Sequence, residues 1–408
     1  NNGELYAPGN FTTFVSSRFS FKSKYFLIQL EPYLAKRRNI FNKFHEDKGT
    51  FNYSNNHIND LTAVENNFGL RRSFIALKYK KIGLSLGNQS EWWGPGFHNA
   101  IAASTNSPSQ KTIGFQTLEE INFKQSSFFL KIFTKPYLNK NNSNIYFSGM
   151  KAQVKIKTKP IITLGFHRTY LSGNFGKQGF TKSSENWNFM DATKLVFEPL
   201  FGQSKKNLDY IIDGTPGFDE WDEILTGYIK LFFPDNMLEL YVDLASDDNR
   251  ANFTDLRAHW DHTLGYQIGF KKYIENKKNM VFICGEFTST VESNTFNPIF
   301  YRGSPNTVNF YSKKIYDYFT FEGRRIGAHS GSSGDDIFFA IGVINAKYSN
   351  ILGYSFERHG IKKMEFPEIK NELSFTHNRF ITSKSSIFIN LELEIIRNNQ
   401  FINSKTSK

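Results

Sequence analysis

Residues 149–168 read GMKAQVKIKTKPIITLGFHR. Met150, Ala152, Val154 and Ile156 alternate with Lys151, Gln153, Lys155 and Lys157. After a short Lys-Pro turn, Ile162, Leu164 and Phe166 alternate with Thr163, Gly165 and His167. A period of two puts apolar side chains on one face of a strand and polar ones on the other. The same alternation returns at 237–244 (MLELYVDL), 264–271 (LGYQIGFK) and 387–395 (IFINLELEI), and looser versions fill most of the chain. Two architectures carry such a pattern. A soluble sandwich buries the apolar face, whereas a membrane barrel turns it to lipid and keeps the polar face for the lumen. Lys, Glu, Asp, Gln and His in mid-strand suit a polar interior, and Tyr and Phe recur near strand ends as in an interfacial girdle.

Connection lengths favour the barrel. Tight turns are expected at 22–24, 80–81, 125–126, 158–159, 233–236, 274–277, 346–349 and 382–384. Long loops are expected at 36–69, 89–112, 170–191, 201–222, 246–262 and 289–307. Outer-membrane barrels pair short periplasmic turns with long external loops, and closure removes the sheet edges that so many strands would expose. The predicted fold is all-β: a single transmembrane antiparallel up-and-down barrel over 1–408 with about 18 strands, 16 to 18 of them readable. Its polar lumen is occluded by inward-folded loops, chiefly 89–112. One detail sits badly with both ends in the periplasm: the first turn, 22–24, is tight. The long loops on either side of a strand at 193–200 also break the alternation, and a further strand near 207–213 would repair it.

Composition narrows the classes. The chain has 408 residues, 43 Phe, 19 Tyr and one cysteine, Cys284. No stretch approaches the roughly 18 consecutive apolar residues of a membrane helix, so a helical membrane protein is excluded. A single cysteine forbids an intramolecular disulfide. The chain opens on Asn without a basic-then-apolar leader, which reads as a mature form or a fragment. The formal charge of +12 favours anionic partners such as acidic glycans and lipopolysaccharide phosphates. The lysines are scattered over turns rather than clustered, which argues against nucleic acid.

Residues 85–105, SLGNQSEWWGPGFHNAIAAST, carry the most distinctive motif. A strand ends in polar residues and runs into Trp-Trp-Gly-Pro-Gly and then a small, polar tract. A second patch, YFTFEGRRIGAHSGSSGDDI, lies at 318–337, and KYFLIQLEPY at 24–33 reads as an early strand ending in Glu-Pro. These stretches resemble the Wzi-like capsule-assembly proteins of the bacterial outer membrane. The resemblance spans most of the chain and implies an outer-membrane barrel, 18-stranded, with an occluded lumen. It also implies a non-catalytic, lectin-like role in binding, organising or anchoring capsular or surface polysaccharide. The N-terminal helical bundle of that family is not legible in this sequence.

The candidate binding residues are Glu91, Trp92, Trp93, His98, Asn99, Arg324, Arg325 and His329. An indole offers a face to a sugar ring, and Glu91, His98 and Asn99 offer hydrogen bonds to hydroxyls. Equally, the tandem indoles can wedge an inward-folded loop against the wall, with Gly94, Pro95 and Gly96 as its structural turn. Arg324, Arg325 and His329 suit the carboxylates or phosphates of an acidic glycan, or an internal ion-pair network with Asp335, Asp336 or Glu91.

Metal chemistry finds little support. FDEWDE at 218–223 lacks the spacing and the Gly of a calcium loop. His259 and His262 in HWDH have no evident third ligand. No metal and no cofactor is expected. Neither a Gly-x-Ser-x-Gly elbow nor HExxH nor a phosphate loop occurs, and Glu119-Glu120 point to opposite strand faces, so no enzyme is expected. The expected partners are membrane lipids, lipopolysaccharide, acidic polysaccharide and other outer-membrane proteins. The rival functions are a porin or glycan-export channel, a structural subunit of a larger envelope assembly, and a soluble β-rich lectin.

Overall fold

The computed structural model describes residues 3, 12–38, 47–56, 64–138, 144–174, 206–212, 215–219, 222–247, 261, 263–293, 309–382 and 385–407. Eighteen strand segments form one closed antiparallel barrel. From Phe19–Lys22 to Ser385–Arg397 each long wall strand pairs with the next in the chain, which is up-and-down topology. Gln110–Thr117 and Ile121–Asn122 both pair with Ser126–Leu138, so they are two pieces of one wall strand. Thr406–Ser407 adds a short return beside Ile396 and Arg397.

The strands form where the alternation lies, and the alternation sets their facing. In 161–168, Leu164 and Phe166 are exposed while Thr163 and His167 are buried. On three neighbouring strands, Ile229, Val242 and Ile268 stand in one cross-strand row and are 53%, 40% and 50% exposed. Their sequence neighbours Tyr241, Asp243 and Gln267 are buried on the opposite face. Apolar side chains outside and polar ones inside is the arrangement of a barrel in lipid and the reverse of a soluble sandwich.

The tight turns share one rim. Tyr79 pairs with Ile82 across Lys80-Lys81, and Asn276 pairs with Asn279 across Lys277-Lys278. Lys80 and Lys277 take φ of +54°, the left-handed value that a two-residue hairpin demands. The first strand descends toward that rim and the last long strand rises from it. The outer ends of both therefore lie at the loop rim, which accounts for the tight first turn.

The structure corrects the sequence reading in three places. The stretch 36–69 is not all loop: Pro32–Arg38 and Val64–Leu70 pair with each other, and Thr12–Ser16 joins them in a three-stranded sheet. This sheet continues the first wall strands beyond a bend held by ions. There the buried Glu31 meets Arg18 at 2.7 Å and Arg71 at 2.7 Å. The strand near 207–213 exists as Lys206–Ile212, but it pairs with Thr215–Asp219 in a separate hairpin and is not a wall strand. The lumen is polar in mid-barrel but apolar toward the loop rim. There Phe133, Ile145 and Phe147 of the wall pack against Trp93, Ile101, Tyr311 and Phe319 of inward segments. A folded-in loop must bury its own apolar residues, and the wall residues it covers are apolar to match. The expected strand at 193–200 lies outside the described residues.

Candidate functional site

The strand Ile82–Gln89 gives way to a segment that crosses the barrel interior and rejoins the wall at Gln110. Trp93 fixes it. The indole is 1% exposed and packs edge-on to Phe133 at 4.9 Å between ring centres. It lies against Gly149 so closely that a Cβ there would come within 2.9 Å of the ring. Its Nε1 donates to the Glu91 carboxylate at 2.9 Å, and its backbone N–H donates to the Ala103 carbonyl at 2.9 Å. Glu91 in turn accepts from Lys131 at 2.8 Å, with Lys135 at 3.6 Å. Burial pushes the Glu91 carboxyl up, but Lys131, Lys135 and the indole N–H together hold it below the ordinary value of 4.5. Trp92 is only partly buried, and its Nε1 donates to the Gly96 carbonyl at 3.1 Å.

The turn that follows closes around a wall carboxylate. The backbone N–H groups of Phe97, His98 and Asn99 donate to Glu286 at 2.6, 3.3 and 2.7 Å. The Tyr241 hydroxyl and the Gln267 amide complete the set at 2.6 and 2.9 Å. Successive amides around one anion form a nest. Gly96 permits it, because a Cβ there would stand 2.2 Å from the Asn99 carbonyl and 2.5 Å from Gln267. Asn99 is fully buried and reaches onward: its Oδ1 accepts from the backbone N–H of Ala100 and of His329, and its Nδ2 donates to Ser330.

The second motif folds onto the first. Ser104 donates its backbone N–H to Ile326 and its hydroxyl to the Gly327 carbonyl. The Tyr311 hydroxyl donates to the Ile101 carbonyl at 2.7 Å and accepts from the Ala328 N–H at 3.0 Å. Arg324 donates to the Gly3 carbonyl and to Asn106. Arg325 donates to the carbonyls of Tyr318 and Thr50 and lies 4.9 Å over the Tyr311 ring. Burial pulls the guanidinium of Arg325 down to about 10, so it stays charged at neutral pH. The acids named as internal partners for these arginines are otherwise engaged. Asp335 takes Arg358 at 2.9 Å, Asp336 takes Ser355 at 2.6 Å and Glu91 takes Lys131. Among the described residues, the partners of Arg325 are the carbonyl oxygens of Tyr318 and Thr50 and the Thr50 hydroxyl rather than a carboxylate.

The two motifs thus meet, mostly through buried contacts. Glu91, Trp93, Asn99, Arg324, Arg325 and His329 are buried, while Trp92 and His98 keep some accessible surface. The His98 ring stacks flat on Phe338 at 3.9 Å, and its Nε2 lies 3.4 Å from Asp336. Burial holds both His98 and His329 below the ordinary 6.5, His98 well below, so both are neutral at neutral pH.

Sequence reasoning missed Glu286, Tyr241, Gln267, Lys131 and Lys135. All lie in mid-strand on polar faces, which marks them as lumenal, but nothing local names a partner up to 189 residues away. Of the run 218–223, Glu223 forms a two-pronged bond with Arg168 at 3.0 and 2.9 Å, a structural pairing. His259, Trp260 and His262 lie outside the described residues.

Residues 1–342 match the family described as capsule assembly protein Wzi. Among solved structures the chain is similar to Wzi of Escherichia coli, described as an outer-membrane protein involved in group 1 capsule assembly and a carbohydrate-binding β-barrel. Identity is 11% and the TM-score 0.60, over 97% of this chain and 80% of that one. The loop-deleted OmpT of Vibrio cholerae (9% identity, TM-score 0.36, 94% and 90% covered) is a more distant likeness. So is OccK7 of Pseudomonas aeruginosa (10%, 0.40, 94% and 85%). No curated protein matches the sequence.

Proposed function

From the premise that this chain belongs to the Wzi capsule-assembly family and lies in the bacterial outer membrane, we propose that it is a non-catalytic barrel. It binds acidic surface or capsular polysaccharide and holds it at the cell surface. The observation that carries this reading is the double seam through the lumen. Two segments cross the interior, bond to each other and are clamped to wall residues from Lys131 to Glu286. A lumen so filled favours binding over flux. The formal charge of +12 suits a polyanion.

Within this reading Glu91, Trp93, Asn99, Arg324 and Arg325 act as scaffold. Trp92 is the indole of the pair that retains surface for a sugar ring. Binding is polyvalent and weak per sugar, since a polymer engages repeated sites on many barrels.

Single-channel recording in planar bilayers tests it, with wild type compared against a deletion of 91–110. A silent wild type and a conducting deletion are expected. Retention of acidic polysaccharide by wild-type proteoliposomes, weakened in Trp92→Ala, completes the case. Steady wild-type conductance that acidic polysaccharide blocks would instead make the protein an export channel.

A further inference from the structure

Where the crossing segments meet the later part of the wall, two imidazoles and two carboxylates converge. His98 comes from the first segment and His329 from the second. Asp336 and Glu357 come from the adjacent strands Asp335–Ile344 and Tyr348–His359, where they are direct cross-strand partners. Both carboxylates are buried. Like charges directly opposite each other destabilise a sheet, and buried ones more so, unless a cation stands between them.

The distances suit a shared ion better than they suit pairwise hydrogen bonds. Asp336 Oδ2 lies 3.4 Å from His98 Nε2 and 3.5 Å from His329 Nε2, and Glu357 Oε1 lies 3.6 Å from His329 Nε2. Good N–H···O bonds are about 2.7–3.2 Å. Ligands about 2.0–2.2 Å from one tetrahedral ion stand roughly 3.3–3.6 Å from one another. One ligand atom each from His98, His329 and Glu357 falls within a 4.8 Å cluster.

We propose that His98, His329 and Glu357, with Asp336 beside both imidazoles, bind one divalent transition-metal ion, zinc by ligand type. Imidazole nitrogens select such an ion over calcium or magnesium. The outer partners a metal site needs are present. Ser355 donates to Asp336 Oδ1 at 2.6 Å, His359 bonds Glu357 Oε2 at 3.1 Å, and Phe338 fixes the His98 ring. Lys370 reaches Glu357 Oε1 at 2.9 Å and divides its charge with Glu372 at 3.0 Å. The ion pins both crossing segments to the wall. This site is independent of whether the barrel binds polysaccharide.

The full chain, folded in detergent and stripped with chelator, is loaded with Zn2+ or Co2+ and desalted. About one Zn2+ per chain is expected, insensitive to excess Ca2+, with the strong visible bands of four-coordinate Co2+. His98→Gln and His329→Gln should each lower retained metal at least about tenfold. His377→Gln, whose ring instead bonds Asn350 at 2.6 Å, should not. Folding of each variant is checked by its mobility on unheated gels. If a variant does not fold, the Co2+ spectrum of the wild type decides alone. Wild type that retains no Zn2+, a weak six-coordinate Co2+ spectrum, or folded His98→Gln and His329→Gln with undiminished metal would overturn the proposal.

Discussion

The carboxylate of Glu286, on a wall strand, accepts the backbone N–H of Asn99 at 2.7 Å across 187 residues of sequence. That bond and its neighbours turn a flexible Gly-Pro-Gly turn into a fixed crossing of the lumen. Glu286→Ala therefore leaves the backbone N–H groups of Phe97, His98 and Asn99 and the Tyr241 hydroxyl short of an acceptor, at about 1–3 kcal/mol for each donor that stays buried, while the Gln267 amide keeps the Asn99 carbonyl and the Thr288 hydroxyl. The crossing should give way before the barrel does. Limited proteolysis should cut the variant between 94 and 110 while its unheated gel mobility stays that of a folded barrel. Bilayer recording should show openings that the wild type lacks.

Trp93→Ala removes a side chain that fills the junction of wall and crossing segment. Large buried aromatics cost about 3–5 kcal/mol on truncation. The loss should appear as a lower urea midpoint in detergent with little change in the slope. Trp92→Ala, at a partly exposed position, should cost far less. Equal losses for the two would mean that both indoles act as anchors.

How much of this was legible in the sequence differs by level. The alternation in 149–168 fixed which faces meet lipid, because period two is a local property of the chain. The Trp-Trp-Gly-Pro-Gly stretch marked where a strand turns inward. The partners were not legible. Glu286 reads as one more lumenal acid in FICGEFTS, and only the closed barrel brings it to the amides of 97–99. The strand pairs in 36–69 were hidden for another reason. VENNFGL lacks a clean alternation, and its pairing comes from its neighbours rather than from its own pattern. Arg325 offered two readings in the sequence, an anion site or an internal ion pair with Asp335, Asp336 or Glu91, because a guanidinium suits both. Carbonyl groups at the end of a buried crossing segment hold it instead.

The row Ile229, Val242 and Ile268 faces outward near the middle of three adjacent strands. A lysine at Val242 would sit in hydrocarbon. For a barrel in lipid this costs about 2–4 kcal/mol near the midplane and little near the interfaces. Refolding of Val242→Lys into vesicles should show that loss as a lower midpoint. Gln267→Lys, on the lumenal side, separates the effects: it should leave insertion intact and disturb only the crossing segment. A Val242→Lys variant as stable in vesicles as the wild type would remove the lipid-facing assignment of this row.

Glu91 makes the anchor pH-dependent, and the direction follows from its partners. Lys131, Lys135 and the Trp93 N–H hold its carboxyl below the ordinary 4.5 despite burial, so the folded protein binds this proton less readily than the unfolded chain. Stability from ionised Glu91 is therefore complete above about pH 4.5 and is lost as the pH falls through the lower folded value. Other acids titrate in the same range, so the comparison that isolates Glu91 is with Glu91→Gln. That variant keeps the shape and an acceptor for the indole but has no charge for Lys131. At pH 7 it should be less stable than the wild type. The gap in urea midpoint should narrow as the pH drops below 4.5, where the wild type loses the same charge. A gap that stayed constant from pH 7 to pH 3 would show that packing of Trp93, rather than the ionised carboxylate, holds the crossing segment to the wall.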